Sequence, residues 1–329
     1  MPHLRLSFDL RRPSFASATS AQLAETVLDI CSWADRLGFD LTYFGEHHGA
    51  ADGYLPSPLV ASGVAAGRTS RMKFRPILLT PFYHPIRLAE DLAIADLMSG
   101  GRMSPVFAAG YVHSEFEMYG VGRSERRARV IEAVEVCRKA WTGEPFEFRG
   151  ETVRVTPRPA QRPGPPIIMA GAAEAPARRA AHLGDGFDPA EPQFWDWYRD
   201  ECLKLGNDPG PWVPRGPTFL HVTHDPDAAW AEVGPNLMHA GNTYAKWIAE
   251  SGHGTSNWYP PINSVDELRA GGAYQLVTPE QCIAIADELG ADGHLIFRPL
   301  FGGTDPERAW ASLRLFESEV LPHIEVTEA

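Results

Sequence analysis

The sequence predicts an α/β fold, a single (β/α)8 (TIM) barrel with insertions over residues 1–329. Three observations carry this. Short apolar runs alternate with longer helical patterns along most of the chain, and the count of runs reaches eight. The polar and aromatic residues follow several different strands, as they do where a barrel keeps its chemistry at the strand ends. No Gly-x-Gly-x-x-Gly follows the first strand, which disfavours a doubly wound sheet.

Each element has its own signal. Leu4 to Leu10 alternates as a strand, and Ala21 to Gly38 is a helix with Leu23, Val27, Ile30, Ala34 and Leu37 on one face, ended by that glycine. Leu41 to Gly45 is the second strand, Pro58 to Arg68 a short helix and Phe74 to Leu79 the third strand. His84 to Leu97 is a helix with Pro85 in its first turn. Met103 to Ala108, Pro166 to Ala170, a weak run at Phe187, Thr218 to Val222 and His294 to Phe297 complete the strands. Helices are expected over Ser124 to Trp141, Ala175 to Leu183, Phe194 to Leu205, Asp227 to His239, Pro279 to Leu289 and Pro306 to Val320. Two segments interrupt the alternation. Residues 144–160 alternate like a small hairpin, and residues 252–275, rich in Gly, Ser, Asn, Pro and aromatics, read as a lid or insertion.

Composition narrows the function classes. With 44% apolar residues, a formal charge of −12 and no block of Lys or Arg, the chain is a globular protein unsuited to binding nucleic acid or anionic membranes. Cys31, Cys137, Cys202 and Cys282 lie far apart without CxxC spacing, so neither a disulfide framework nor a metal site is indicated. The first residues enter a strand pattern without the apolar run of a signal peptide, and no run approaches membrane-spanning length. A soluble, cytoplasmic protein is expected.

The most informative motif is Glu46-His47-His48, two imidazoles beside a carboxylate at the exit of the second strand. An imidazole exchanges protons near neutral pH with little tuning. Glu46 and His48 alternate with His47 along the strand exit and so fall on the other side, where they orient it or stabilise the mouth. A metal-dependent hydrolase is disfavoured, because Ser7-Phe8-Asp9 occupies the place where barrel hydrolases carry His-x-His.

Several motifs in register resemble the luciferase-like flavin monooxygenase family, which includes bacterial luciferase. They are Gly45-Glu46-His47-His48, Leu55-Pro56-Ser57-Pro58, His84-Pro85, Leu88-Ala89-Glu90-Asp91, Asp96-Leu97-Met98-Ser99-Gly100-Gly101-Arg102, Gly110-Tyr111 with Glu115-Phe116 and Tyr119-Gly120, Trp141-Thr142-Gly143, and Leu183-Gly184-Asp185-Gly186-Phe187. The likeness is dense over about residues 1–190 and returns at Arg298-Pro299-Leu300.

The resemblance implies a barrel that binds reduced FMN, supplied by a separate flavin reductase, and oxidises a small organic substrate with O2. In one branch deazaflavin F420 serves instead, in hydride transfer. It implies His47 as the proton-handling residue with Glu46 and His48 beside it. The flavin ring would rest on strand three at Pro76, Ile77 and Leu78, where the family often carries a non-proline cis peptide, here matched by the Pro76–Ile77 bond. The phosphate side would involve Ala109, Gly110 and Tyr111 after strand four and Gly171, Ala172 and Ala173 after strand five. Here the chain departs from the family, since Ala109, Ala173 and Pro176 replace its arginine and hydroxyl anchors and Glu174 adds a negative charge. Arg178 and Arg179 are candidate substitutes. Three readings follow: an FMN-dependent monooxygenase of an apolar substrate, an F420-dependent oxidoreductase, or a barrel that has lost flavin binding and serves as a binding or subunit protein. Tyr111, Phe116, Tyr119, Trp195, Trp197, Trp247, Trp258 and Tyr259 are candidate pocket aromatics, and a homodimer through the Pro58 and Leu88 helices is expected by resemblance.

Overall fold

The computed structural model describes residues 2–252 and 259–324. In chain order the elements are β1 (His3–Phe8), α1 (Ser20–Arg36), β2 (Leu41–Phe44), α2 (Pro58–Ala66), β3 (Lys73–Leu79), α3 (Pro85–Ser99), β4 (Val106–Ala108), α4 (His113–Met118) and α5 (Arg126–Ala140). Then come β5 (Phe146–Phe148), β6 (Glu151–Val153), β7 (Ile168–Gly171), α6 (Glu174–Leu183), β8 (Gly186–Pro189) and α7 (Phe194–Leu205). The last are β9 (Phe219–Val222), α8 (Pro226–Glu250), α9 (Val265–Ala270), β10 (Tyr274–Val277), α10 (Pro279–Leu289), β11 (His294–Phe297) and α11 (Pro306–Leu315). No helix of the described residues is long and apolar enough to cross a membrane.

By internal contacts the chain forms two compact units. One comprises residues 1–56, 68–72 and 213–329, and the second residues 57–67 and 73–212. In the first unit β11, β1 and β2 are parallel neighbours, with Leu6 opposite both Phe297 and Thr42. A second parallel pair, β9 and β10, sets Phe219 opposite Tyr274. Thr19 and Gln22 form a reciprocal capping box that starts α1, and Thr278 with Gln281 does the same for α10. The long helix α8 lays Trp230, Val233, Leu237 and Ala240 against Phe219, Tyr274 and Leu276.

In the second unit β3, β4, β7 and β8 are parallel, registered by Leu79 opposite Ala108, Phe107 opposite Met169, and Met169 opposite Phe187. Leu78, Phe107 and Met169 from these strands pack with Leu88, Val134 and Trp141 from α3 and α5. The Trp141 indole N–H donates to the Ala89 carbonyl at 3.1 Å, so the largest buried ring is satisfied as well as packed. The predicted hairpin is present as antiparallel β5 and β6.

Four expectations change. Residues 252–275 are not one loop: α9 and the start of β10 lie inside those bounds, and residues 253–258, Trp258 among them, lie outside the described residues. Tyr274-Gln275-Leu276-Val277 is too short and too close to polar neighbours to register as a strand, yet three of its four side chains are buried. α8 continues from the predicted end at His239 to Glu250, because its buried face extends to Ala240, Gly241 and Ala245. The Pro76–Ile77 bond is trans, and among the described residues the cis bonds are Thr156–Pro157 and Arg162–Pro163. A trans bond lets β3 run unbroken and place Ile77, Leu78 and Leu79 opposite Val106, Phe107 and Ala108.

Candidate active site

Parallel strands deliver their following residues to one edge. In the first unit that edge carries Arg298 after β11, Asp9 to Arg11 after β1 and Gly45 to His48 after β2. The loop after β2 is pinned to β1 by backbone bonds: Gly45 N–H donates to the Phe8 carbonyl, Leu55 N–H to the Asp9 carbonyl, and His47 N–H to the Leu55 carbonyl. Gly49 and Gly53, at φ of 64° and 67°, provide the turns that fold the loop back.

Glu46, His47 and His48 are all buried. Glu46 Oε1 lies 3.0 Å from His48 Nε2, so the carboxylate pairs with the second histidine. The two sit two residues apart, where an extended backbone puts side chains on one side, and His47 points elsewhere. Its ring lies against Trp247 at 4.4 Å between centroids, and edge-on to Tyr54 at 4.8 Å and Tyr244 at 5.9 Å. The Tyr244 hydroxyl donates to the Tyr54 hydroxyl at 3.0 Å. A Cβ on residue 45 would stand 2.1 Å from the Tyr54 oxygen, so the glycine opening the motif is the space the tyrosine needs.

The same three rings enclose a cation. Arg11 is fully buried, with its guanidinium carbon 4.6, 4.8 and 4.9 Å from the centroids of Tyr54, Tyr244 and Trp247. Its Nη1 donates to Asp52 Oδ2 at 2.7 Å, and its Nε faces Asp9 Oδ2 at 3.4 Å. His239 reaches Asp52 Oδ2 at 2.8 Å. Burial alone would raise the Asp52 pKa, but the His239 and Arg11 contacts outweigh it and hold the carboxyl down at about 2. Burial raises the Asp9 pKa. Arg11, Asp52, Tyr54, His239 and Tyr244 were not legible as site residues. The signals available were the charged Arg11-Arg12 pair directly after a strand and the reach of α8 beyond Pro235.

In the second unit the strand ends bring together Leu79, Ala109 to Tyr111 and Gly171 to Ala173. Gly110 has φ of 70°, and a Cβ there would touch Phe116 at 3.5 Å and Leu79 at 3.8 Å. Ala172 and Ala173 are exposed, and α6 begins after them with no side-chain cap, leaving its first N–H groups for another acceptor. Glu174 and Arg178 form an i,i+4 pair at 2.7 Å, and Arg178 also meets Glu201 at 2.9 Å, so Arg178 is committed to carboxylates while Glu174 is neutralised. Arg179 is partly buried, its pKa lowered by that burial and by Arg127. Of the candidate aromatics, Trp247 borders His47 and Tyr259 stacks on Tyr244 at 4.5 Å. Phe116 is buried and Tyr119 stacks on Phe82 at 4.7 Å, while Trp195 and Trp197 pack on the second unit's core.

Residues 6–288 match the luciferase-like monooxygenase family, and the chain belongs to it. The oxygenase component of flavin-dependent trigonelline monooxygenase from Acinetobacter baylyi is 31% identical over 160 residues, covering 46% of this chain and 44% of that protein. The chain therefore spans about half the length of the first curated relatives it matches. Monooxygenase RslO1 from Streptomyces bottropensis superposes with a TM-score of 0.79 at 26% identity, over 98% of this chain and 99% of that one. The oxygenating constituent of 3,6-diketocamphane monooxygenase from Pseudomonas putida, solved with FMN, gives 0.75 at 18% identity over 99% and 100%, a likeness of fold.

Proposed function

We propose that the chain is the oxygenase of a flavin-dependent monooxygenase that uses reduced FMN from a separate reductase and acts on a small organic substrate, within one closed (β/α)8 barrel. The observation that carries this reading is His47: a buried imidazole, boxed by Trp247, Tyr54 and Tyr244, at the C-terminal end of a parallel strand in a chain of this family. The cofactor-binding residues would be Pro76, Ile77 and Leu78 as the wall for the ring, with Ala109, Gly110, Tyr111, Gly171, Ala172 and Ala173 about the phosphate. The uncapped first turn of α6 and its exposed approach suit an anion held by backbone N–H groups. A bound reduced flavin supplies the electrons that send one atom of O2 into substrate and the other into water. His47 would hold and move the proton this requires, the rings around it would exclude water, and Glu46 with His48 would fix the exit of β2.

Titration of the purified protein with FMN and with F420 tests the cofactor. Retention of FMN and coupled oxygenation with a reductase are expected. F420 retained in its place moves the reaction to hydride transfer, and neither cofactor retained at millimolar concentration leaves a binding protein. His47→Ala should lower turnover by on the order of 10²-fold with the fold intact; unchanged turnover at saturating cofactor refutes the role.

We further propose that the oligomer is a homodimer through α2 and α3. Val60, Val64, Ile94, Leu97 and Met98 on those two helices are exposed, Met98 to 82%.

A further inference from the structure

Two arginines stand at the edge that carries His47, and they are treated differently. Arg11 is fully buried and has Asp9 and Asp52 against it. Arg298, the residue after β11, is partly buried, with its Nε enclosed and without a hydrogen-bond partner. Its guanidinium carbon lies 5.4 Å from the Phe301 ring centroid, and its side chain is hydrogen-bonded to Tyr259. The groups that act on it are tyrosines, Tyr259, Tyr244 and Tyr274, and no carboxylate of the described residues pairs with it.

Tyr274 brings a second orphan. It is buried, and its hydroxyl has no partner. The bridge between Arg215 and His294 and the β9–β10 register carry Phe219 and Tyr274 to the level of Arg298, and the Phe301 ring meets both, at 6.1 and 6.3 Å. Burial pushes the Tyr244 pKa up to about 12 and raises that of Tyr274, so at neutral pH these rings give hydrogen bonds without countercharge. A guanidinium drawn out of water without a carboxylate is stabilised when an anion fills the place, and a planar carboxylate matches its fork of donors.

We infer that Arg298, with the Tyr274 hydroxyl, anchors a carboxylate on the substrate, and that the substrate is a ring-bearing organic acid whose ring packs on the Tyr244/Tyr259 stack. This rests on the proposed function only for taking this edge as the substrate's end. Arg298 is a specificity-determining residue, and no bond changes at it.

Calorimetric titration of the whole protein, without flavin, reductase or turnover, with benzoate, cinnamate and cyclohexanecarboxylate against their uncharged amides tests it. At least one acid should bind about tenfold or more tighter than its amide. Arg298→Met should remove that preference and Arg298→Lys should keep part of it, with melting temperatures measured alongside. If Arg298→Met does not fold, Tyr274→Phe serves, with an expected loss of about threefold to tenfold for the acid alone. Equal binding of acid and amide, no acid bound at millimolar concentration, or an unchanged acid affinity in the folded variants overturns the inference. Because no flavin is present, the result stands apart from the FMN titration, and failure of either leaves the other readable.

Discussion

His221 sits on β9 with 6% of its surface exposed, stacked on Phe219, and burial lowers its pKa to about 4 with Arg308 adding to the effect. The folded imidazole is neutral where the unfolded one, near 6.5, has already taken a proton. As pH falls from about 6.5 to about 4 the unfolded state binds more protons, so stability is lost across that window and levels off below it. The loss attributable to this residue should reach about 3 kcal/mol, read as the part of the pH dependence of chemical denaturation that disappears in His221→Phe. If the variant and the parent lose stability in parallel from pH 7 to 4, His221 is not the source. Single residues were only partly legible. The Glu46-His47-His48 motif could be found because three chemically loaded residues sit in a row. The Arg11 cage could not, since Tyr54, Tyr244 and Trp247 meet only after some 190 residues of intervening chain have folded, as the Tyr54–Tyr244 hydrogen bond shows.

At the scale of elements, the end of β11 is joined to α8 and β1 through one residue. Gly302 has φ of 64°, accepts from Asn236 Nδ2 at 2.9 Å, and donates to Asp9 Oδ2 at 3.4 Å. A Cβ there would stand 2.2 Å from the Asn236 carbonyl oxygen, which is backbone and cannot rotate away. Gly302→Ala should therefore cost about 3 kcal/mol or more, from the left-handed backbone and the clash together, and a denaturant melt within 1 kcal/mol of wild type would show that α8 can shift. The strands and helices with strong periodicity were legible, and so was the hairpin. What escaped was β10, four residues long beside a polar stretch, the short helices α4 and α9, and the end of α8 past His239, whose buried face only packing reveals. The Asp96 to Arg102 motif, read as a family signature, proves to be architectural. Asp96 accepts from the Gln161 backbone and side chain, and Arg102 donates to the carbonyls of Ser99 and Ala66.

For the whole molecule, a net charge of −12 opposes close approach of two copies, so an interface needs an apolar face free of that repulsion. The exposed side chains of α2 and α3 supply one. Sedimentation should find a dimer, and Val60→Lys with Met98→Lys should shift it towards monomer at micromolar concentration without lowering the melting temperature of the monomer. A wild-type monomer at every concentration would end the proposal. The alternation of apolar runs and helical patterns made the α/β class readable from the first, whereas the replacement of the family's phosphate anchors by Ala109, Ala173 and Pro176 left the cofactor open, because backbone donors carry no sequence signal. One feature common to all four cysteines bears on life beside an oxidant. Cys31, Cys137, Cys202 and Cys282 are buried, and burial raises every one of their pKa values, to about 12 for Cys31 and Cys282. The thiolate is the form that peroxide attacks. Should the proposed reaction uncouple and release hydrogen peroxide, cysteine thiols that stay protonated and enclosed are shielded from that reagent.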